Sequence, residues 1–407
     1  MKLLKLKDVK LSNITFKERT KELFLSVKPY KNGCRCPECQ RRGKIVNILH
    51  DARVWRDIRV CGWTIFFLYC PKEIVCPTHG RIQEEIPWAE QRARITYRLE
   101  FLVLTYSQMM TQRAASGLLG MPTSTFSDIL HRTISRIRDG HRIRGLKSIG
   151  IDEVSYCKGN KYVTVVYDLD RSRILWVGKG KARKTIDRFF KEALSDYQKK
   201  QISWACCDMS ETFINAIKEH CPHAQLVLDR FHIVKALNEA MDEVRKEQWR
   251  KTSKNERQAL KGVRWLLFKH VSKRSPEDQA LIEQLRKGNH RIHRACVLKD
   301  EFNLFWDFSD KDKARDFLKR WGTTALKSRL DPIRKFVHTI RKHSEDIITF
   351  VESRLTNAAA EGMNRIIGII RNRAGGFRAV DAFIDLIYLV LGDVDIPAQI
   401  PSKFRTL

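Results

Sequence analysis

The chain has 407 residues, of which 43% are hydrophobic, so it is long and apolar enough for two or three domains with real cores. Its 77 Lys and Arg against 47 Asp and Glu leave a formal charge of +30. That balance argues against an enzyme of small metabolites and for a polyanionic partner, since each Lys or Arg set on a phosphate releases condensed counterions.

The first 16 residues are broken by Lys and Asp and lack the apolar run of a secretory signal. The longest apolar stretch, residues 382–392, carries Asp385 and is too short to span a bilayer. The expectation is a soluble, cytoplasmic protein with no membrane partner and with its cysteines reduced.

Residues 1–89 are expected to form a zinc-binding domain. "GCRCPECQRRG" and "IVCPTHG" present Cys36-x-x-Cys39 and Cys76-x-x-His79, two turn-borne ligand pairs. Each pair chelates from a tight knuckle, and two knuckles close a tetrahedron around Zn²⁺. The stretch between them reads as paired strands, which suits a zinc ribbon with a structural ion. Cys34 and Cys70 are spare thiols that can replace one of the four.

Residues 90–145 read as helical. Ala114, Ala115, Leu118 and Leu119, then Gly120, then Ile129 and Leu130 fit a helix, a short turn and a second helix that opens at Pro122. The second helix carries Ser124, Ser127, Asp128, His131 and Arg132, residue types that reach bases and phosphates. A DNA-binding helix-turn-helix is the expectation.

From residue 148 the period changes. "SIGIDEVSYCKGNKYVTVVYDLD" alternates as two strands about a Gly159-Asn160 turn, yet Asp152 stands inside the first strand, where Asp is disfavoured. A third strand over 172–180 and a helix over 183–197 follow. An apolar strand then ends at Asp208, a helix succeeds it, and another strand ends at Asp229. Three strands in a meander and then α-β-α-β is the order of an α/β ribonuclease-H-like core, here 146–230. That order brings Asp152 and Asp208 together at one edge of the sheet. Paired carboxylates repel unless a cation sits between them, and phosphodiester chemistry uses two Mg²⁺ (or Mn²⁺) ions roughly 3.5–4 Å apart, held by about three acids.

Residues 231–350 read as an inserted all-α subdomain containing Trp249, Trp265, Trp306 and Trp321. Most of these rings are expected in its core, and one is a candidate to stack on an unpaired base. Residues 351–395 are expected to return as the C-terminal helices of the core, with 396–407 a tail. Within them Asn357, Glu361, Asn364 and Arg365 share one helical face, with small residues beside Glu361 and with Arg371, Arg373 and Arg378 following. Glu361 is the candidate third acid. Glu352 is its reserve, and Asp229, which ends an apolar strand, is the rival for second-metal duty.

Three stretches carry a resemblance: "SIGIDEVSYCKGNKYVTVVYDLD", "CCDMSETFINAIKEHCPHAQLVLDRFHIVKALNEAMDEVR" and "ESRLTNAAAEGMNRIIGIIRNRAGGF". With the N-terminal Cys-x-x-Cys and helix-turn-helix, the chain resembles DDE transposases of bacterial insertion sequences, of the ISL-three family. The resemblance implies that Asp152, Asp208 and Glu361 are the catalytic triad. It also implies double-stranded DNA, both terminal inverted repeats and target, as partner, and at least a homodimer on that DNA, working at the bacterial nucleoid. The chain departs from the family in its second knuckle, which is Cys-x-x-His where Cys-x-x-Cys is commoner. Arg365, Arg371 and Arg373 are expected on phosphates, and Asn357 and Asn364 as orienting groups. A zinc-containing DNA-binding regulator and a nuclease that never joins strands are the alternatives.

Overall fold

The computed structural model describes residues 9–29, 34–49, 51–140, 143–251, 257, 263–355 and 358–392. Asn357 and the 396–407 tail lie outside them. The chain divides into two compact units, residues 1–142 with 367–407, and residues 143–366.

The first unit opens with strands β1 (Val9–Lys17), β2 (Glu22–Pro29), β4 (Arg53–Val60) and β5 (Trp63–Tyr69), which form a sheet of order β1-β2-β5-β4. Alternation sends Leu25, Val27, Trp55, Ile65 and Phe67 to one face, where they pack with Ile86 and Trp88. Asp57 on β4 is also buried. It accepts from Thr96 Oγ1 at 2.5 Å and is ion-paired with Arg98, which ties the sheet to the start of α1 (Tyr97–Met109). Thr96 itself caps α1 by accepting the Leu99 amide. Strands β3 (Lys44–Ile48), β6 (Lys72–Cys76) and β7 (Gly80–Gln83) make a separate antiparallel sheet.

Helix α1 is followed by α2 (Gln112–Leu118) and α3 (Thr123–Gly140), with Gly120 in the left-handed region, φ 60°, at the turn between them. Phe126, Ile129, Leu130 and Ile134 of α3 are buried. The last helix, α15 (Val380–Leu391), packs on α3 and α1. This corrects the expectation that residues 351–395 all belong to the ribonuclease-H-like core. The apolar stretch of α15, with Phe383, Ile387 and Leu389 buried, completes the helical bundle of the first unit instead.

The second unit holds a five-stranded sheet of order β10-β9-β8-β11-β12. Its strands are β8 (Ser148–Cys157), β9 (Lys161–Asp168), β10 (Arg173–Lys179), β11 (Trp204–Cys207) and β12 (Gln225–Leu228). The first three form the antiparallel meander, and β11 and β12 add in parallel. Gly159 and Asn160 both have positive φ, 87° and 58°, as a tight right-twisting hairpin requires. The order and directions are those expected of a ribonuclease-H-like core. Between β10 and β11 the single helix expected over 183–197 is instead α4 (Arg183–Arg188), one π-helical turn (Phe189–Ala193), and α5 (Asp196–Gln201) restarted by a Ser195 capping box. Helix α6 (Glu211–His220) links β11 to β12.

The remaining helices are α7 (Arg230–Lys251), α8 (Val263–Phe268), α9 (Pro276–Gly288), α10 (His290–Asn303), α11 (Lys311–Lys327), α12 (Asp331–Lys342), α13 (Ser344–Ser353) and α14 (Ala358–Arg373). The core of α7 to α13 is not separate from that of the sheet. One continuous cluster runs from Ile149 and Val227 through Leu237 to Phe302, Trp321, Phe336 and Val351, and α13 packs back on β12. The inserted subdomain is therefore fused to the sheet. Trp306 and Trp321 are buried in this core, Trp249 is half-buried under Arg257, and Trp265 stands 68% exposed.

Candidate functional site

The sheet itself positions the acids. The parallel register pairs Cys206 with Gly150, and Cys207 with Leu228. Carried two residues on along β8, it sets Asp208 beside Asp152. Carried one residue on along β12, it sets Asp208 beside Asp229. Asp208 and Asp229 follow the carboxyl ends of β11 and β12, and Asp152 lies midway along β8 beside them, so three carboxylates stand in a row across adjacent parallel strands.

Asp208 and Asp229 are built alike. Each is the first residue after its strand, and each turns one oxygen onto the amide two residues on: Ser210 N–H to Asp208 Oδ1 at 3.0 Å, Phe231 N–H to Asp229 Oδ1 at 3.1 Å. The other oxygen of Asp229 is buried and has no hydrogen-bond partner. Asp152 accepts the Glu153 amide at Oδ1, 2.7 Å, and the Asn364 carboxamide N–H at Oδ2, 2.6 Å. Asn364 is held in turn by the buried Tyr167 hydroxyl, which donates to its Oδ1 at 2.5 Å. Glu361 lies one turn earlier on α14, exposed, with Asp229 among the groups that feel its charge. Arg365 follows, also exposed.

Burial pushes both the Asp152 and the Asp229 carboxyls above their ordinary range. The Glu153 and Phe231 amides and His232 oppose that rise, and the neighbouring acids reinforce it. His232, which sequence reasoning missed, lies with Nε2 4.0 Å from Asp152 Oδ1 and 3.8 Å from Asp229 Oδ2. Its signal was the spacing of Asp229 and His232 at i and i+3 across the start of a helix. A hollow of about 300 Å³ opens here, lined by Asp208, Ser210, His232, Lys235 and Glu239.

Hard oxygen donors in a row, one of them buried and unpartnered, suit a divalent cation such as Mg²⁺. Asp152, Asp208 and Glu361 are not drawn together as tightly as the thiol cluster described below. Other acids face elsewhere. Glu352 is ion-paired with Lys311, and Glu153 with Lys181 at 3.6 Å. Asp168, read from sequence as a turn residue, is fully buried at the end of β9 between Arg171 and Arg173.

In the first unit, Cys36, Cys39, Cys76 and His79 are, among the described residues, the one group whose ligand atoms all lie within 4.8 Å of one another. Cys36 Sγ is 3.5 Å from His79 Nδ1, and Cys39 Sγ 3.5 Å from Cys76 Sγ. The Thr78 amide aimed at Cys76 Sγ helps pull that thiol down to about 6, favouring the thiolate a metal needs. Three sulfurs and one imidazole at this spacing fit tetrahedral Zn²⁺ with no open position. Neither spare thiol belongs to the group. Cys34 is buried beside Lys72, and burial raises it to about 11.

The residues expected to read DNA divide. Ser124 is exposed and Ser127 half-exposed on α3. His131 Nδ1 is 2.9 Å from the buried Asp385 carboxylate of α15, and Arg132 is 3.3 Å from Glu100. Arg373 donates to the carbonyls of Ser107 and Gln108, closing the C-terminus of α1. Arg371 is half-buried.

A sheet of ribonuclease-H-like order with acids aligned across its parallel strands is an arrangement suited to metal-dependent chemistry on phosphodiester bonds. Within that chemistry the comparisons are specific. The DDE transposase model of ISL3 type matches residues 149–387, and the chain belongs to that family. It is 27% identical over 385 residues to the transposase for insertion sequence element IS1557 of Mycobacterium tuberculosis, spanning 88% of this chain and 85% of that protein. It is equally 27% identical, over 372 residues and 90% of each chain, to the transposase for IS1001 of Bordetella parapertussis. Among solved structures, the Drosophila P element transposase strand transfer complex aligns over 75% of this chain and 94% of that one, with a TM-score of 0.38 and 13% identity. The enzyme is thus a DDE-type transposase, whose family activity is binding and cleaving DNA in transposition. No helix among the described residues is long and apolar enough to cross a membrane.

Proposed function

We propose that this transposase binds the terminal inverted repeats of its own insertion sequence, cuts there, and joins the freed end to target DNA. Asp152, Asp208 and Glu361 are the metal-holding triad. The observation that carries this reading is the row formed by Asp152, Asp208 and Asp229, with Glu361 brought beside it by α14. Divalent ions held by these acids supply the Lewis acidity that activates a hydroxyl nucleophile and stabilises the leaving oxygen.

The chain's own residues do the positioning. Tyr167 and Asn364 fix the Asp152 carboxylate, and the Ser210 and Phe231 amides fix Asp208 and Asp229. His232 lies between Asp152 and Asp229, within 4.0 Å of each, and can hold them in place. Asp229 supports the site as a further oxygen donor. Arg365, exposed on the Glu361 helix, meets a DNA phosphate, and Arg371 tracks the same backbone.

The first unit recognises the ends. Its zinc is structural, and α2–turn–α3 acts as a helix-turn-helix that presents Ser124 and Ser127 to bases. Pairing of two ends requires at least a homodimer on DNA, at the bacterial nucleoid. The test is cleavage and joining of labelled duplexes that carry the repeats flanking the gene. A regulator binds them without cutting, and a simple nuclease cuts without joining a free 3′-hydroxyl end.

A further inference from the structure

Beside the hollow at Asp208 and His232 lies a second one, of about 430 Å³, and Lys235 and Glu239 of α7 line both. This volume lies in the range of small-molecule pockets. Phe231 and Phe268 supply its aromatic lining, and Asn238 and Arg264 its polar groups. Phe231 is 51% exposed and stands two residues from Asp229. Behind Phe268 lies the exposed Trp265 ring, 6.4 Å away, with the Arg264 guanidinium 5.5 and 5.6 Å from the two ring centres. Asn238 Oδ1 is buried and has no hydrogen-bond partner. Of the acids bordering the hollow, Asp242 pairs with Arg245, Lys246 and Arg264, and Glu243 with Lys246, while Glu239 has no ion pair among the described residues.

Aromatic faces, one unsatisfied carboxamide and a cation match the parts of a nucleotide. A base offers two apolar faces and an edge of donors and acceptors, and its phosphate is anionic. Resting on the reading of this chain as a DNA-cutting transposase, we propose that this hollow takes one unstacked nucleobase from the strand whose phosphate lies at the acids. Phe231 and Phe268 stack on it, Asn238 pairs with its edge, and Arg264 holds its backbone. Extruding a base this close to the cut fixes the strand's register against the acids.

The test uses the full chain and two DNA probes of arbitrary sequence: a blunt duplex, and the same duplex with an unpaired tail containing 2-aminopurine. Wild type is expected to bind the tailed probe more tightly and to quench its fluorescence. Phe268→Ala and the isosteric Asn238→Asp, each checked for folding by circular dichroism, are expected to lose the quench. They should also lower the preference for the tail about five- to a hundredfold, the range of one base–aromatic stack, while binding blunt duplex as before. Folded variants that keep both quench and preference overturn the proposal. Failure of wild type to bind even the blunt duplex overturns the transposase reading and this proposal with it.

Discussion

Asn364 donates from Nδ2 to Oδ2 of Asp152 at 2.6 Å, across 212 residues of sequence. This contact brings α14, and Glu361 with it, to the central strand of the sheet. It also leaves the Asp152 carboxylate one fixed orientation, because the Tyr167 hydroxyl sets which way the carboxamide faces.

Asn364→Ala is therefore expected to keep the fold and lower metal-dependent cleavage about 10- to 100-fold, the usual cost of losing an outer partner of a metal-binding side chain. Tyr167→Phe should fall in the same direction by less. Both are measured as cleavage rate against Mg²⁺ or Mn²⁺ concentration. An unchanged metal dependence in Asn364→Ala would show that the contact does not serve the site.

The zinc site is tested by metal content. One zinc per chain is expected by elemental analysis, and Cys39→Ser should lose it and unfold residues 34–83. Acid should release it as well. The Cys76 thiol is depressed from 9.0 to about 6, so its thiolate favours the folded site fully above pH 9 and that contribution disappears as pH falls through about 6. Bound zinc competes with protons for these thiolates, so release comes below the pH at which the metal-free thiol titrates; zinc content that does not fall as acid is added would contradict this account.

His131 now carries a different expectation from that of a DNA-reading residue on α3. His131→Ala leaves the Asp385 carboxylate, whose side chain is 3% exposed, without its partner. That should cost about 1–3 kcal/mol of stability in the first unit, read as a lower melting temperature. Ser124→Ala and Ser127→Ala should leave stability unchanged and weaken preference for terminal repeats over random duplex by about 1–3 kcal/mol per good base contact.

Helices 231–350 share their core with the sheet, so they should not unfold independently. Phe302→Ala, at a fully buried ring 4.7 Å from Trp321, should cost about 3–5 kcal/mol. Hydrogen exchange should then show β11, β12 and the helices losing protection together. Separate transitions would mean two domains.

Much of this architecture was legible because local chemistry and tertiary placement agree. Alternation gave the β8–β9 hairpin, Gly159-Asn160 its turn, and knuckle spacing the cluster of Cys36, Cys39, Cys76 and His79. Asp152 showed itself as a carboxylate in an apolar strand. What was not legible depends on distant partners. Periodicity marks α15 as apolar but does not say against what it packs, and α3 becomes its partner only through contacts such as those of His131 with Asp385 and Arg138 with Tyr388. Arg373 reads as a surface cation until the end of α1 needs its donors. His232 reads as an ordinary helical residue until the parallel register sets Asp152 and Asp229 on either side of it. Asp168 resembles a turn residue because its two arginines follow the turn.

The central claim is that the row of acids and Glu361 act as one metal site. The direct measurement is Mg²⁺- or Mn²⁺-dependent cleavage of labelled terminal-repeat duplex by Asp152→Asn, Asp208→Asn, Glu361→Gln and the Asp152→Asn/Asp208→Asn pair, with DNA binding and circular dichroism alongside. Each single variant is expected to stay folded, bind DNA as well as wild type or better, and lose cleavage and joining. The double should be no worse than either single, because groups acting as a unit are not additive. Asp229→Asn, a supporting acid, should be slower yet measurable. A folded Glu361→Gln enzyme that still cuts, or losses that simply add in the double, would contradict the account.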